Sequence, residues 1–224
     1  MLVLTTPSNP TGSVYTKEEI VALGKVLEGT DVIVASDEMY EKLIYDGTFT
    51  SAASVSDDMF QRTVTINGLS KSVAMTGWRF GYMAAANTEL IKATKKLQSQ
   101  STSNINSITQ MAAITGLDGS ADADIEMMRK EFMARRDEAV ELFNAIDGLS
   151  VVKPDGAFYL FVNIKEVSND SLAFAKDLLA QQEVAVVPGV GFGSEGYFRF
   201  SFATDIESIR TGIKRIEEFV KGLK

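Results

Sequence analysis

The chain has 224 residues, 45% of them hydrophobic, and a formal net charge of −8; this length allows one large domain or two small ones, and the apolar share supports a core. The acid excess excludes a general nucleic-acid binder, which needs clustered Lys and Arg. Cysteine and histidine are both absent; that excludes disulfides, thiolate and Ser-His-Asp catalysis and Cys- or His-ligated zinc, fits a reducing cytoplasm, and leaves Lys, Asp, Glu or Tyr as the base of any acid–base chemistry.

The opening "MLVLTTP" has a short apolar run without a basic flank, so it reads as neither a signal peptide nor a membrane span. It reads as a buried strand over 2–6, followed by the Pro/Gly turn "PSNPTGS". Thr16 and Glu19 have capping-box spacing ahead of Ile20, Leu23 and Leu27, which predicts a helix over "TKEEIVALGKVLEG". "DVIVAS" (31–36), "RTVTIN" (62–67) and "FGYMAAA" (80–86) are three further apolar runs. Apolar strands separated by helices predict an α/β arrangement, a mainly parallel sheet covered on both faces. "NTELIKATKKLQSQ" and "SITQMAAITGL" read as helices, and 122–147 as a long amphipathic helix with Ile125, Met128, Phe132 and Leu142 on its apolar side. "LSVVKPDGAFYLFVNI", a helix near "DSLAFAKDLLAQQ", then "VAVVPG", "YFRFSFA" and a closing helix from Asp205 predict a smaller α+β unit. The expected domains are 1–125 and 126–224, the second joined through the long helix, with the boundary near 125–135. "GVGFG" (189–193) precedes an aromatic strand and not a helix, so it reads as a turn and not a phosphate loop. Domains seldom begin inside a strand, and the expectation is a truncated chain with an open sheet edge.

In open parallel sheets, ligands bind at the carboxyl ends of the strands. "LVLTT" leads to Asn9, "DVIVAS" to Asp37 with Tyr40 just after it, "RTVTIN" to Ser70 and Lys71, and "YFRFSFA" contains Arg199. In "NGLSKSVAMTGWRFGY" (67–82), Lys71 and Arg79 are the only charged residues. Each has an ordinary structural reading. Asn9 before Pro starts a turn, Asp37 caps a helix, Tyr40 is a half-buried aromatic, and Lys71, Arg79 and Arg199 are solvated or ion-paired cations. Their fixed order at successive strand ends argues for a shared site. A desolvated lysine amine attacks carbonyls to form a Schiff base. A buried aspartate keeps a pyridine-type nitrogen protonated. Tyrosine and asparagine hydrogen-bond a ring phenolate, serine and one arginine suit a phosphate, and a second arginine suits a carboxylate. Together these describe a pyridoxal phosphate pocket for an amino acid.

"SNPTG", "SDEMYEKLIYDG", "NGLSKSVAMTGWRFGY" and "YFRFSFA" resemble the ordered signatures of the class I/II aminotransferases, fold-type I pyridoxal phosphate enzymes, with the aspartate aminotransferase-like branch most similar. "KPDGAFYLFVNI" and "VAVVPGVGFG" resemble segments of that family's small domain. The resemblance runs over essentially the whole chain. It implies that Lys71 is the Schiff-base lysine and moves the proton between Cα and the cofactor. It also implies that Asp37 partners the pyridine nitrogen, Asn9 and Tyr40 bond the ring oxygen, Ser70 and Arg79 hold the phosphate, and Asn9 and Arg199 bind the substrate, Arg199 gripping its carboxylate. No metal is implied. The implied reaction transfers an amino group between an amino acid and a 2-oxo acid, in a cytoplasmic enzyme without membrane or nucleic-acid partners.

Family chains are considerably longer, and their front half has no counterpart here. That half carries the helix N-terminus that cradles the cofactor phosphate, the aromatic stacked on the ring and a tyrosine that reaches the partner subunit. Thr6 stands where many relatives carry asparagine. The resemblance therefore implies either a homodimer or association with the missing N-terminal portion, and weak or absent activity for the isolated chain. Ser103 or Asn104, in "QSQSTSNINS", is expected near a partner subunit. The alternative reading is a non-catalytic truncated fragment or assembly module with weak or no cofactor binding. Another reaction of the same fold, such as decarboxylation, β-elimination or acyl transfer, is a third reading.

Overall fold

The computed structural model describes residues 1–223. The first strand, β1 (Leu2–Thr5), is followed by helix α1 (Lys17–Leu27) and strand β2 (Val34–Asp37). The α1 N-terminus forms as its sequence predicts: Thr16 accepts from the Glu19 amide, and the Glu19 side chain accepts from the Thr16 amide. The short helix α2 (Asp57–Arg62), capped by the Ser56 side chain, leads into β3 (Thr63–Gly68), and β4 (Gly81–Ala85) follows. These strands form one sheet in the order β1-β2-β3-β4. The first three are parallel, with Thr5 paired to Asp37 and Asp37 to Ile66, and β4 is antiparallel to β3. The helical spacing of Ile20 and Leu27 turns them onto Leu4, Val34, Ala52 and Met59, all buried. Each such side chain contributes on the order of 1.5–3 kcal/mol relative to exposure. The one-turn helix α3 (Leu69–Ser72) follows β3; helices α4 (Thr88–Ser99) and α5 (Ser107–Leu117) follow β4.

The chain divides into two compact units, Met1–Pro7 with Ser13–Arg129, and Ser8–Gly12 with the chain from Lys130 on. The division falls inside the long helix α6 (Asp122–Asn144). The second unit contains β5 (Tyr159–Asn163), α7 (Ser171–Gln182), β6 (Val187–Pro188), β7 (Tyr197–Ser201) and α8 (Ile206–Leu223). Its sheet is antiparallel, in the order β5-β7-β6. Along β7 the alternation of side chains buries Phe198 and Phe200 and turns Tyr197, Arg199 and Ser201 to the other face. The buried face meets Phe143 of α6 and Phe174 of α7 ring to ring. On α8 the stripe Ile209, Ile213, Ile216, Phe219 and Val220 is buried at helical spacing. The "VAVVPG" run contributes only Val187–Pro188 to the ladder, on an edge, where a proline without an amide hydrogen is tolerated. No helix among the described residues is long and apolar enough to cross a membrane.

Candidate active site

In the first unit the carboxyl ends of β2 and β3 lie side by side, because Asp37 is in register with Ile66. Asp37 is half-buried, and its Oδ1 accepts from the Met39 amide at 3.1 Å. That aspartate turn starts the segment carrying Tyr40, whose ring is buried at 6% exposure. Alternation puts Ser36 and Glu38 on the opposite face from Asp37. There the Glu38 carboxylate is buried, and its Oε1 accepts from Ser36 Oγ at 2.9 Å, Ser51 Oγ at 2.8 Å and the Ala52 amide at 3.2 Å. Burial pushes the Glu38 carboxyl above the usual glutamate range, and these three donors pull it back only in part.

β3 ends in Gly68 and continues directly into α3, which presents Ser70 and Lys71, both half-buried. The chain returns through a 3-10 turn at Thr76–Trp78 to Arg79, then enters β4 at Gly81, the register partner of Gly68. Arg79 is exposed with φ +55°, in the left-handed region, and its Nη1 donates to the Thr76 carbonyl at 2.7 Å. Ser70–Lys71 and Arg79 are therefore the two limbs that leave the same end of the β3–β4 ladder. Gly68 is needed there: a Cβ would stand 2.7 Å from the Phe80 carbonyl oxygen and 3.1 Å from Gly81 Cα. Beside this end lies an open cavity of about 760 Å³, lined by Trp78, Arg79, Ser103, Asn104, Asn106 and Thr109 among others.

Asn9 and Arg199 belong to the second unit. The loop Ser8–Gly12 is closed by the Gly12 amide on the Ser8 carbonyl at 2.9 Å. Asn9 is exposed, and its Oδ1 accepts from Arg199 Nη1 at 2.7 Å. Arg199 sits mid-strand on β7, in register with Phe161 on one side and Val187 on the other. Its guanidinium carbon lies 4.4 Å from the Tyr159 ring centroid and 5.2 Å from that of Phe192. Each such contact is worth about 0.5–1 kcal/mol and fixes the plane of the group. Asn9 takes one of five guanidinium N–H donors, so a planar carboxylate can be held by those that remain.

The structure thus joins Asn9 directly to Arg199, and sets Asp37, Tyr40, Ser70, Lys71 and Arg79 on the ends of neighbouring strands of the other unit. Sequence reasoning passed over Glu38 and the aromatic pair Tyr159 and Phe192. The one available signal for Glu38 was Ser36, two residues earlier on the same strand face.

A family model for aminotransferase class I and II matches residues 1–216. The chain is 46% identical over 226 residues to an aspartate aminotransferase of Bacillus subtilis (strain 168), covering 98% of this chain and 57% of that protein. It is 41% identical over 227 residues to an asparagine–oxo-acid transaminase of Streptococcus mutans, covering 99% of this chain and 57% of that protein. Its fold superposes on the crystal structure of an aromatic aminotransferase from Pyrococcus horikoshii with a TM-score of 0.92 at 39% identity, covering 99% of this chain and 60% of that one. The chain spans a little over half the length of the curated relatives it matches.

Proposed function

Because the chain belongs to the class I and II aminotransferase family, we propose that it carries the lysine, the ring-nitrogen partner and the carboxylate-binding arginine of a pyridoxal 5′-phosphate-dependent aminotransferase, moving an amino group between an amino acid and a 2-oxo acid. The observation that carries this reading is the adjacency of parallel strand ends: Asp37 closes β2, and Lys71 follows the neighbouring β3. The donor set fits a phosphorylated pyridine aldehyde. Lys71 would hold the aldehyde carbon, Asp37 the pyridine nitrogen, Tyr40 and Asn9 the ring oxygen, and Ser70 and Arg79 the phosphate. Residues 1–125 are then the cofactor-binding part, and 126–224 the small domain.

When bound, pyridoxal 5′-phosphate supplies an electron sink for negative charge at the substrate Cα. In this reading the chain's own residues do the rest. The Lys71 amine takes the proton from Cα. Asp37 would hold the proton on the ring nitrogen. Tyr40 donates to the ring oxygen. Arg199, oriented by Asn9 and its two rings, binds the α-carboxylate. The relatives' names include aspartate, asparagine and aromatic substrates, so the proposal stops at the class of amino acid and 2-oxo acid. Its other partners are a second copy of the chain, or polypeptide matching the rest of the relatives' length. Exposed apolar side chains on α5 (Ile108, Met111, Leu117) and β1 (Val3) support such an association. The absence of cysteine supports a cytoplasmic setting.

A spectroscopic titration of the purified chain with pyridoxal 5′-phosphate tests this, followed by borohydride reduction and peptide mapping. The expected result is a visible absorption band and one reduced adduct on Lys71, abolished in Lys71→Ala. Scattered labelling of surface lysines, unchanged in Lys71→Ala, would overturn it. That outcome favours a non-catalytic assembly module, a reading that rests on the chain's 57% coverage of its relatives.

A further inference from the structure

Arg136 heads the fully buried side chains of the described residues, at 1% exposure. Arginine is rarely buried to this degree without a fixed set of partners. Here Nε and Nη2 both meet Asp137 Oδ1, at 2.9 and 2.8 Å, and Nη1 donates to the Pro154 carbonyl at 2.8 Å. Lys153 Nζ also meets Asp137 Oδ1, at 3.0 Å. The Asp137 side chain is itself 43% exposed and shared with Lys153, and a pair open to solvent on one side is a weak source of stability. The carbonyl that Arg136 holds is therefore the more informative partner.

Pro154 begins the turn that enters β5, and this turn supports Arg199 in two ways. First, the Gly156 amide donates to the Gly12 carbonyl at 2.9 Å. The two segments are pressed together: a Cβ on Gly12 would lie 2.4 Å from Pro154 Cβ and 2.6 Å from the Gly156 oxygen, and Gly12 has φ +68°. Pro154 and Gly156 are thus the floor of the loop Ser8–Gly12, whose Asn9 accepts from Arg199. Second, the turn passes through the buried Ala157, at φ +57°, to Tyr159, the ring beneath the Arg199 guanidinium. One turn sets both the edge contact and the face contact of Arg199.

We infer that Arg136 is a positioning residue for carboxylate recognition: its buried guanidinium pins the Pro154–Gly156 turn, and that turn orients Arg199 through Asn9 and Tyr159. The inference deepens the aminotransferase reading and rests on it for the identity of the bound carboxylate. The positional part concerns only contacts within the second unit.

The test uses the full chain with Arg136→Met, Arg136→Lys and Gly12→Ala. It reads the unfolding temperature, the Arg199 Nε–H and Asn9 side-chain amide resonances, and the Kd for a 2-oxo acid. In Arg136→Met both resonances are expected to shift and broaden while the α8 amides stay in place. The Kd for the 2-oxo acid should rise on the order of tenfold, the equivalent of one charged hydrogen bond. Arg136→Lys, which keeps a donor for the Pro154 carbonyl, should recover part of each effect. Gly12→Ala, which leaves Arg136 intact, should reproduce the two resonance changes. A merely structural arginine would lower the unfolding temperature and leave the resonances and the Kd unchanged, which would overturn the inference. If Arg136→Met does not fold, unmoved Arg199 and Asn9 signals in Gly12→Ala overturn it instead. Failure of Lys71 to take the cofactor refutes the aminotransferase reading, whereas the resonances judge the positioning role independently.

Discussion

Asp37 and Glu38 are adjacent carboxylates in opposite surroundings, and each leads to a different experiment. Glu38 lies on the side of β2 away from Asp37, buried, with its Oε1 taking three donors. Its raised pKa, caused chiefly by burial, means that the folded state binds the proton more tightly than the unfolded state. This contribution to stability is therefore fully present below the ordinary glutamate value and is lost as pH rises through the raised one. Glu38→Gln keeps an acceptor oxygen and removes the charge, so its unfolding temperature should fall less than that of the wild type across this window. Glu38→Ala should cost about 1–3 kcal/mol, the usual penalty for leaving buried donors unpaired. Parallel melting curves against pH for the three proteins check this, and identical slopes for wild type and Glu38→Gln would refute it. Arg199 allows a complementary prediction. Lysine cannot reproduce the guanidinium fork or its stacking between Tyr159 and Phe192. Arg199→Lys should weaken carboxylate binding about tenfold to a hundredfold, the loss of one or more charged hydrogen bonds, with little change in unfolding temperature; a calorimetric Kd for the 2-oxo acid reads the first and a melting curve the second. The places of Asp37 and Lys71 at neighbouring strand ends were legible because apolar runs stop there at polar residues, and the outward face of Arg199 because its strand alternates. Glu38 was not, because the Ser51 and Ala52 donors that explain its burial arrive from a distant segment.

At the scale of elements, the end of the β3–β4 ladder carries the proposed Schiff-base lysine and phosphate-binding residues, and its geometry depends on Gly68. Its extended backbone suits any residue, but a methyl there meets the Phe80 carbonyl at 2.7 Å. Gly68→Ala should force the two limbs apart, costing about 1–3 kcal/mol as overpacking does, and should reduce borohydride trapping at Lys71 more than it lowers the unfolding temperature. Wild-type trapping in a folded Gly68→Ala protein would show that the limbs tolerate the separation. The sequence reading of the elements was uneven for physical reasons. α1 was legible because its capping box and apolar spacing are local signals. The direction of β4 was not, since an apolar run looks the same in a parallel or antiparallel ladder. α2 is too short for periodicity to reveal, although Ser56 caps it. α4 has the apolar periodicity of an amphipathic helix, yet none of its residues is buried, because periodicity predicts a face and not what covers it.

At the scale of the whole molecule, the two units differ in how completely each covers its own apolar surface. In the second, one face of the strand β7 packs on aromatic rings, with Phe143 5.1 Å from Phe200 and Phe174 5.6 Å from Phe198, and α8 buries a full stripe. In the first, the cluster around Ile20, Val34 and Met59 is well covered, while β4 has no fully buried residue and α5 leaves Ile108, Met111, Ile114 and Leu117 exposed. Amide protection follows local burial and the cost of local opening. Exchange should therefore be slowest in β5, β7 and α8, intermediate in β1 and β2, and fastest in α4, β4 and α5. A ligand bound only by the folded state stabilises it by about 2.7 kcal/mol at a hundredfold excess over its Kd. Saturating pyridoxal 5′-phosphate should accordingly slow exchange in β3, α3 and the return to β4 of a chain that binds it, and leave the centre of α8 as it was. Hydrogen exchange read by mass spectrometry, with and without the cofactor, measures both patterns. Protection of α4 and β4 equal to that of β7 and α8 in the free chain would mean that the exposed faces are covered in solution, and sedimentation of the same sample would then show whether a second copy covers them.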